Sequence, residues 1–85
     1  MHAAALFYRP TCGYCLKVLR FIEQNNISIP LRNVLENPEV RQELITIAGK
    51  TQVPCLVVNG EPMHESDDII EWLAENWKTD DNTRN

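Results

Sequence analysis

The sequence lacks the features of membrane-spanning, secreted and nucleic-acid-binding proteins. No apolar run approaches the ~20 residues that cross a bilayer, and residues 1–7 have neither the basic region nor the apolar stretch of a signal peptide. The net charge of −4 argues against nucleic acid as a partner, because phosphate recognition requires a basic face. We therefore expect a protein of the reducing cytoplasm, with no membrane or nucleic-acid partner.

Cysteine is also scarce. The three residues of this type, Cys12, Cys15 and Cys55, are too few and too unevenly spaced for a disulfide scaffold. Cys55 follows Pro54 in an apolar run, and we interpret it as a small buried hydrophobic residue rather than a regulatory thiol. The other two form a Cys-x-x-Cys motif.

Length and patterning predict one α/β domain over residues 1–85, with a flexible polar tail at 78–85. Apolar runs predict four strands, at residues 3–8, 27–34, 55–58 and 61–64. Helical periodicity predicts three helices, which follow the Cys-x-x-Cys motif, Asn37 and Ser66. The element order is then β-α-β-α-β-β-α, a four-stranded mixed sheet in which the first βαβ unit is parallel with a right-handed crossover.

Start and stop signals delimit these elements. Asn37 caps the second helix, with Pro38 suited to its first position, and Gly49 closes it. Asn59-Gly60 predicts a hairpin turn. Ser66 is expected to cap the last helix, whose apolar residues Ile69, Leu73 and Trp77 then face inward.

The motif Cys12-Gly13-Tyr14-Cys15 carries the clearest chemistry. It lies between a predicted strand and a predicted helix, so Cys12 would lie at a helix N-terminus, where free N–H groups and the helix dipole favour a thiolate. Such a position lowers a thiol pKa from ~8.5 to about 3.5–7.5. Arg9 adds positive charge. We therefore expect Cys12 to be the nucleophile and Cys15, one turn into the helix, to be the resolving thiol.

The Cys-x-x-Cys pair also allows a different interpretation. A Cys-x-x-Cys pair can be half of a zinc site, but the remaining candidates, Cys55, His2 and His64, are not paired at ligand spacing, so no metal is expected.

Pro54 precedes an apolar strand, and its residue pattern alone fits an ordinary trans strand-entry proline better than a cis one.

The segments YRPTCGYC, TQVPCLVV and ESDDIIEWL together resemble a glutaredoxin, over residues 3 to about 77. The resemblance implies a thioredoxin-like fold. It also implies a monomeric enzyme that uses glutathione to reduce protein disulfides and protein–glutathione mixed disulfides.

The resemblance also implies a glutathione site. Tyr14 matches the tyrosine that flanks glutathione, and Arg9 matches the basic residue that contacts the glycine carboxylate. Val53 and Pro54 match the valine whose backbone pairs with the cysteinyl part and the cis proline beside it. Gln52 precedes them.

The γ-glutamyl carboxylate is expected at Ser66 and Asp67, where a helix N-terminus suits an anion. The family's usual Gly-Gly before this helix is His64-Glu65 here. Glu65-Ser66 instead resembles the glutamate–serine pair in the glutathione-binding domain of glutathione transferases, which again points to glutathione.

Two other functions stay open. Gly13 resembles the glycine in the CGFS motif of monothiol glutaredoxins, some of which carry a [2Fe–2S] cluster between two chains, whereas Cys15 favours disulfide chemistry. A third possibility is an electron donor recharged by thioredoxin reductase, which Arg9, Tyr14 and Ser66 weigh against.

Overall fold

The computed structural model describes residues 4–76, and their elements follow the predicted order. They are β1 (Ala4–Tyr8), α1 (Gly13–Gln24), β2 (Leu31–Asn33), α2 (Pro38–Ala48), β3 (Cys55–Val58), β4 (Glu61–Met63) and α3 (Ser66–Asn76). The strands form one sheet in the order β2-β1-β3-β4. The predicted α/β fold with a mixed four-stranded sheet is confirmed. The predictions for Trp77 and the tail at 78–85 lie outside the described residues.

The pairing of β1 with β3 joins the βαβ unit to the hairpin within one sheet. β1 pairs with β2 in parallel, whereas it pairs with β3 in antiparallel orientation, with Phe7 opposite Cys55. β3 and β4 pair through the tight turn at Asn59 and Gly60, both of which have positive φ, as a two-residue hairpin requires.

The capping signals of α2 act as predicted. The Asn37 side chain accepts a hydrogen bond from the Glu39 N–H at 2.9 Å, which satisfies one of the free donors of the first turn. Gly49 adopts φ 78° and donates its N–H to the Ile45 carbonyl at 2.8 Å. A left-handed residue at this point ends a helix, and glycine adopts it without steric cost.

Three boundaries differ from the sequence prediction. The second strand covers Leu31–Asn33 rather than residues 27–34, because Pro30 has no N–H for a ladder and the Ile27 N–H bonds back to the Ile22 carbonyl of α1. The fourth strand ends at Met63, one residue early.

The start of α3 also differs. Ser66 is its first helical residue rather than its cap. The Ile69 N–H bonds to the Glu65 carbonyl, so Glu65 holds the cap position.

The core has two parts because successive strand residues point to opposite faces of the sheet. One cluster lies between the sheet and helices α1 and α3: Ala4, Leu6, Val18, Ile22, Ile27, Leu56, Ile69 and Leu73. The other lies on the face covered by α2: Phe7, Val34, Val40, Leu44, Cys55 and Val57. Cys55 is fully buried, and burial raises the pKa of its thiol, so it packs as a small apolar residue. In the described part of the chain, the helices are too short and too polar to cross a membrane.

Candidate functional site

The turn between β1 and α1 presents Cys12 at a helix N-terminus. The chain leaves β1 at Tyr8, and the Cys12 N–H closes the turn on the Arg9 carbonyl at 3.1 Å. Cys12 has an extended backbone, φ −96° and ψ 124°, and its carbonyl accepts the N–H of Leu16 at 3.0 Å. It is therefore the N-cap residue of α1, where the first-turn N–H groups have no helical partners.

These surroundings make Cys12 the more acidic thiol. Partial burial alone would raise its pKa, but hydrogen bonds from the Cys15 backbone, the Cys15 thiol and the Tyr14 backbone outweigh burial. Together with the charge of Arg9 they lower the pKa of Cys12. Most of this effect comes from donors that bind a thiolate better than a thiol. The side chain keeps intermediate exposure, so an incoming disulfide can reach it.

Cys15 is in the opposite situation. It has no exposed surface, and burial raises the pKa of its thiol to about 11. The Cys12 sulfur also raises it, through the shared hydrogen bond and through charge, against the lowering effect of the Arg9 N–H. That N–H lies 3.4 Å from the Cys15 sulfur. Of the two thiols, Cys12 is therefore the one that ionises first.

The loop before β3 forms a wall beside Cys12. The Val53–Pro54 peptide bond is cis, as the resemblance implied. The Cys12 sulfur lies 3.9 Å from the Val53 carbonyl oxygen, at the outer limit of a hydrogen bond from sulfur. Pro54 is buried while Val53 is half-buried. The two segments are 41 residues apart in the chain, and the pairing of β1 with β3 brings them together.

A cavity of about 450 Å³ opens next to this wall. Its lining residues come from α1, the loop before β3 and the start of α3: Tyr14, Lys17, Gln52, Val53, Pro54, His64, Glu65, Ser66 and Asp67. Six of the seven residues predicted to bind glutathione are therefore brought together. The seventh, Arg9, is exposed on the turn before Cys12 and does not line the cavity.

Lys17 was missed by the sequence analysis. Its ammonium lies 2.5 Å from the Asp67 carboxylate, and this ion pair joins α1 to α3 across the cavity. Lys17 follows Tyr14 by three residues, a spacing that places two side chains on the same face of a helix. That spacing was the available signal, although it did not identify Asp67 as the partner.

His64 was also absent from the predicted site. The side chain is half-buried, and its Nδ1 atom is enclosed with no hydrogen-bond partner among the described residues. Burial lowers the pKa of His64, and the nearby charge of Lys50 lowers it further, against the raising effects of the Gln52 carbonyl and Glu65. The imidazole is therefore a neutral part of the cavity wall at neutral pH.

Glu65 lines the cavity and is exposed. With Asp67 and Asp68 it makes the N-terminus of α3 acidic. Such charges are favourable for the helix dipole, yet they repel an anionic ligand at the same place. Within residues 4–76, no three His, Cys, Asp or Glu side chains lie close enough to hold a metal ion.

Comparisons with known proteins support the assignment of the fold and the family. The family model described as glutaredoxin matches residues 4–63. Monothiol glutaredoxin-5, mitochondrial, of Schizosaccharomyces pombe is 32% identical over 79 residues, a match that covers 79% of this chain and 54% of that protein. The chain thus spans about half the length of this relative.

A second relative is covered more fully. The probable monothiol glutaredoxin GrlA of Legionella pneumophila is 30% identical over 66 residues, which cover 78% of this chain and 74% of that protein. Both relatives are named monothiol, whereas this chain has a second cysteine, Cys15, in the motif.

Among solved structures, the buckwheat glutaredoxin–glutathione complex superposes with a TM-score of 0.64 at 18% identity, covering 87% of this chain and 70% of that one. At this low identity, the superposition shows a shared fold and nothing more. The thioredoxin-like fold implied by the sequence is thereby confirmed.

Proposed function

We propose that this chain, which belongs to the glutaredoxin family, is a glutathione-dependent oxidoreductase that reduces protein–glutathione mixed disulfides and protein disulfides. The observation that carries the proposal is the position of the low-pKa thiol. Cys12 is reachable from solvent at the N-terminus of α1 and adjoins a cavity large enough for part of a tripeptide.

For a protein–glutathione mixed disulfide, the Cys12 thiolate attacks the sulfur of the glutathionyl group. A bond forms between Cys12 and glutathione, the protein–glutathione bond breaks, and the protein leaves as a thiolate that takes up a proton. A second glutathione, as thiolate, then attacks the glutathionyl sulfur. The products are oxidised glutathione, formed from the incoming glutathione and the substrate's glutathionyl group, and the Cys12 thiolate, so each turnover consumes one free glutathione molecule.

In this scheme the glutathionyl group binds in the cavity. The backbone of Val53 would pair with the cysteinyl residue, beside Tyr14 and Pro54. The N–H groups at Ser66 and Asp67 would bind the γ-glutamyl carboxylate, since the first turn of a helix has free donors. Arg9 would contact the glycine carboxylate from outside the cavity.

A protein disulfide requires Cys15 as well. Attack by Cys12 gives a mixed disulfide with the substrate, and it also removes the Cys12 negative charge. Because that charge contributes to the raised pKa of Cys15, its removal makes Cys15 easier to ionise at the step where its thiolate is needed. Cys15 then attacks Cys12, the substrate leaves reduced, and two glutathione molecules reduce the Cys12–Cys15 disulfide.

The proposal is tested by assaying the purified chain with glutathione, glutathione reductase and NADPH. A glutathionylated peptide and a protein disulfide serve as the two substrates. We expect turnover on both, with saturation in glutathione. If NADPH consumption does not exceed the rate without the chain, the glutathione-dependent reductase function is wrong.

A second candidate function is a carrier of a [2Fe–2S] cluster held between two chains. It is favoured by the monothiol names of the two relatives and by the resemblance of Gly13 to the glycine of the CGFS motif. Cys12 fits a cluster ligand because its thiol is reachable and has a lowered pKa, with glutathione as the other ligand. The buried Cys15 and its high pKa fit the resolving role better.

Anaerobic incubation with iron, sulfide and glutathione distinguishes the two functions. A cluster carrier turns brown, absorbs beyond the aromatic band and elutes as a dimer in size-exclusion chromatography. For the reductase we expect a colourless monomer. Cys15→Ser should be run in parallel, because loss of the resolving thiol would favour cluster binding.

A further inference from the structure

We propose that Lys17 is a specificity-determining residue, which with Asp67 recognises the α-amino-acid end group of glutathione. This inference rests on the proposed function and deepens it. Lys17 would bind the α-carboxylate of the γ-glutamyl residue, and Asp67 would bind the adjacent α-ammonium.

The ion pair itself is the starting point. Lys17 and Asp67 place one positive and one negative charge 2.5 Å apart, both lining the cavity. An α-amino acid carries the same two charges on groups that share one carbon atom. The two side chains therefore match the end group in charge and in spacing.

The charge balance of the cavity makes the lysine necessary. Among the described residues that line the cavity, Lys17 is the only one that is positively charged at neutral pH, whereas Glu65 and Asp67 are negative. Asp68 adds a third carboxylate in the first turn of α3. Without Lys17, these carboxylates would repel an incoming carboxylate from the free N–H groups at the start of α3, with no positive side chain to offset the repulsion.

The ligand can replace the Lys17–Asp67 ion pair at little cost in free energy. The side chains of Lys17 and Asp67 are 51% and 82% exposed, so water screens their attraction and the pair contributes little stability by itself. The end group can replace one ion pair by two, with Lys17 on its carboxylate and Asp67 on its ammonium. No buried charge has to be uncovered in the exchange.

The test uses ligands that do not react with Cys12. S-methylglutathione is compared by calorimetric titration with two analogues, an aminobutanoyl form that lacks the α-carboxylate and a glutaryl form that lacks the α-ammonium. For Lys17→Met we expect S-methylglutathione to bind about two- to fivefold more weakly, the scale of an exposed charge pair. The aminobutanoyl form should bind as it does to the wild type.

Three variants complete the design. Lys17→Arg should keep most of the affinity, because it keeps the charge. Asp67→Asn should weaken S-methylglutathione and leave the glutaryl form unchanged. The matched control is Arg20→Met, which removes an exposed positive charge one turn further along α1 and should leave all three affinities unchanged.

The outcomes separate this inference from the proposed function. If Lys17→Met binds every ligand as the wild type does, or weakens all three equally, the role of Lys17 is overturned while glutathione binding stands. If the wild type itself does not bind S-methylglutathione, the proposed function and this inference are both overturned.

Discussion

The two ends of the cavity are built by different means. At the Cys12 end, backbone N–H groups at the start of α1 provide much of the effect that lowers the thiol pKa. At the α3 end, the side chains of Lys17, Glu65 and Asp67 set the charge. Backbone donors persist through most substitutions, whereas side-chain charges change with a single one. Under the proposed function, we expect substitutions at the first end to change mainly the chemical step, and those at the second end mainly the affinity for glutathione.

The largest effect expected at the Cys12 end is that of Cys12→Ser. Removal of the nucleophile should abolish turnover on both substrate classes, a loss of at least about 10³-fold by analogy with nucleophile deletions in other enzymes. Thermal unfolding of the variant, followed by circular dichroism, controls for folding. Measurable turnover of either substrate would show that the reactive thiol is a different one.

Cys15→Ser should separate the two substrates. Turnover of a glutathionylated peptide should stay within about twofold, while reduction of a protein disulfide should fall roughly 10-fold or more, because the internal resolving thiol is absent. Equal losses on both substrates would contradict the assigned roles.

Arg9→Ala tests the one side-chain charge at the Cys12 end. The pKa of Cys12 should rise, because the charge of Arg9 lowers it. Alkylation by iodoacetamide should then be slower at mildly acidic pH and approach the wild-type rate as pH increases and the thiolate fraction recovers. The KM for glutathione should rise about two- to fivefold, the scale of an exposed charge pair, because Arg9 is exposed. An unchanged alkylation profile would show that the charge of Arg9 does not lower the pKa of Cys12.

Glu65→Gly is the mildest change, and it acts at the α3 end. It removes one negative charge from the cavity lining, so the KM for glutathione should stay the same or fall by up to about threefold. The alkylation profile of Cys12 should not move, since Glu65 does not contribute to its pKa shift. A higher KM would mean that Glu65 itself binds glutathione, for example by accepting a hydrogen bond from the ammonium of the ligand.

The sequence predicted local features better than long-range ones. Asn37 and Gly49 delimit α2 as expected, because capping depends on residues within one helical turn. The predicted strand at 27–34 is shorter in the structure, because its first residues bond back to α1, a contact that its own residues do not indicate. The pairing of Lys17 with Asp67 spans 50 residues and was not predictable from either segment.

The same holds within the candidate site. The Cys-x-x-Cys motif was sufficient to predict which cysteine lies at a helix N-terminus, because the strand–helix boundary is visible in the pattern. The burial of the His64 Nδ1 atom and the exclusion of Arg9 from the cavity lining depend on three-dimensional packing. Neither has a signature in local composition.

The position of Val53 beside Cys12 has a consequence for folding. Their contact closes a loop of 41 residues, which costs chain entropy before the contacts of β3 with β1 offset it. Synthesis proceeds from the N-terminus, so both cysteines of the motif are made before the segment that walls the cavity. A nascent chain that ends before β3 therefore carries both thiols without the wall that Val53 and Pro54 form beside Cys12.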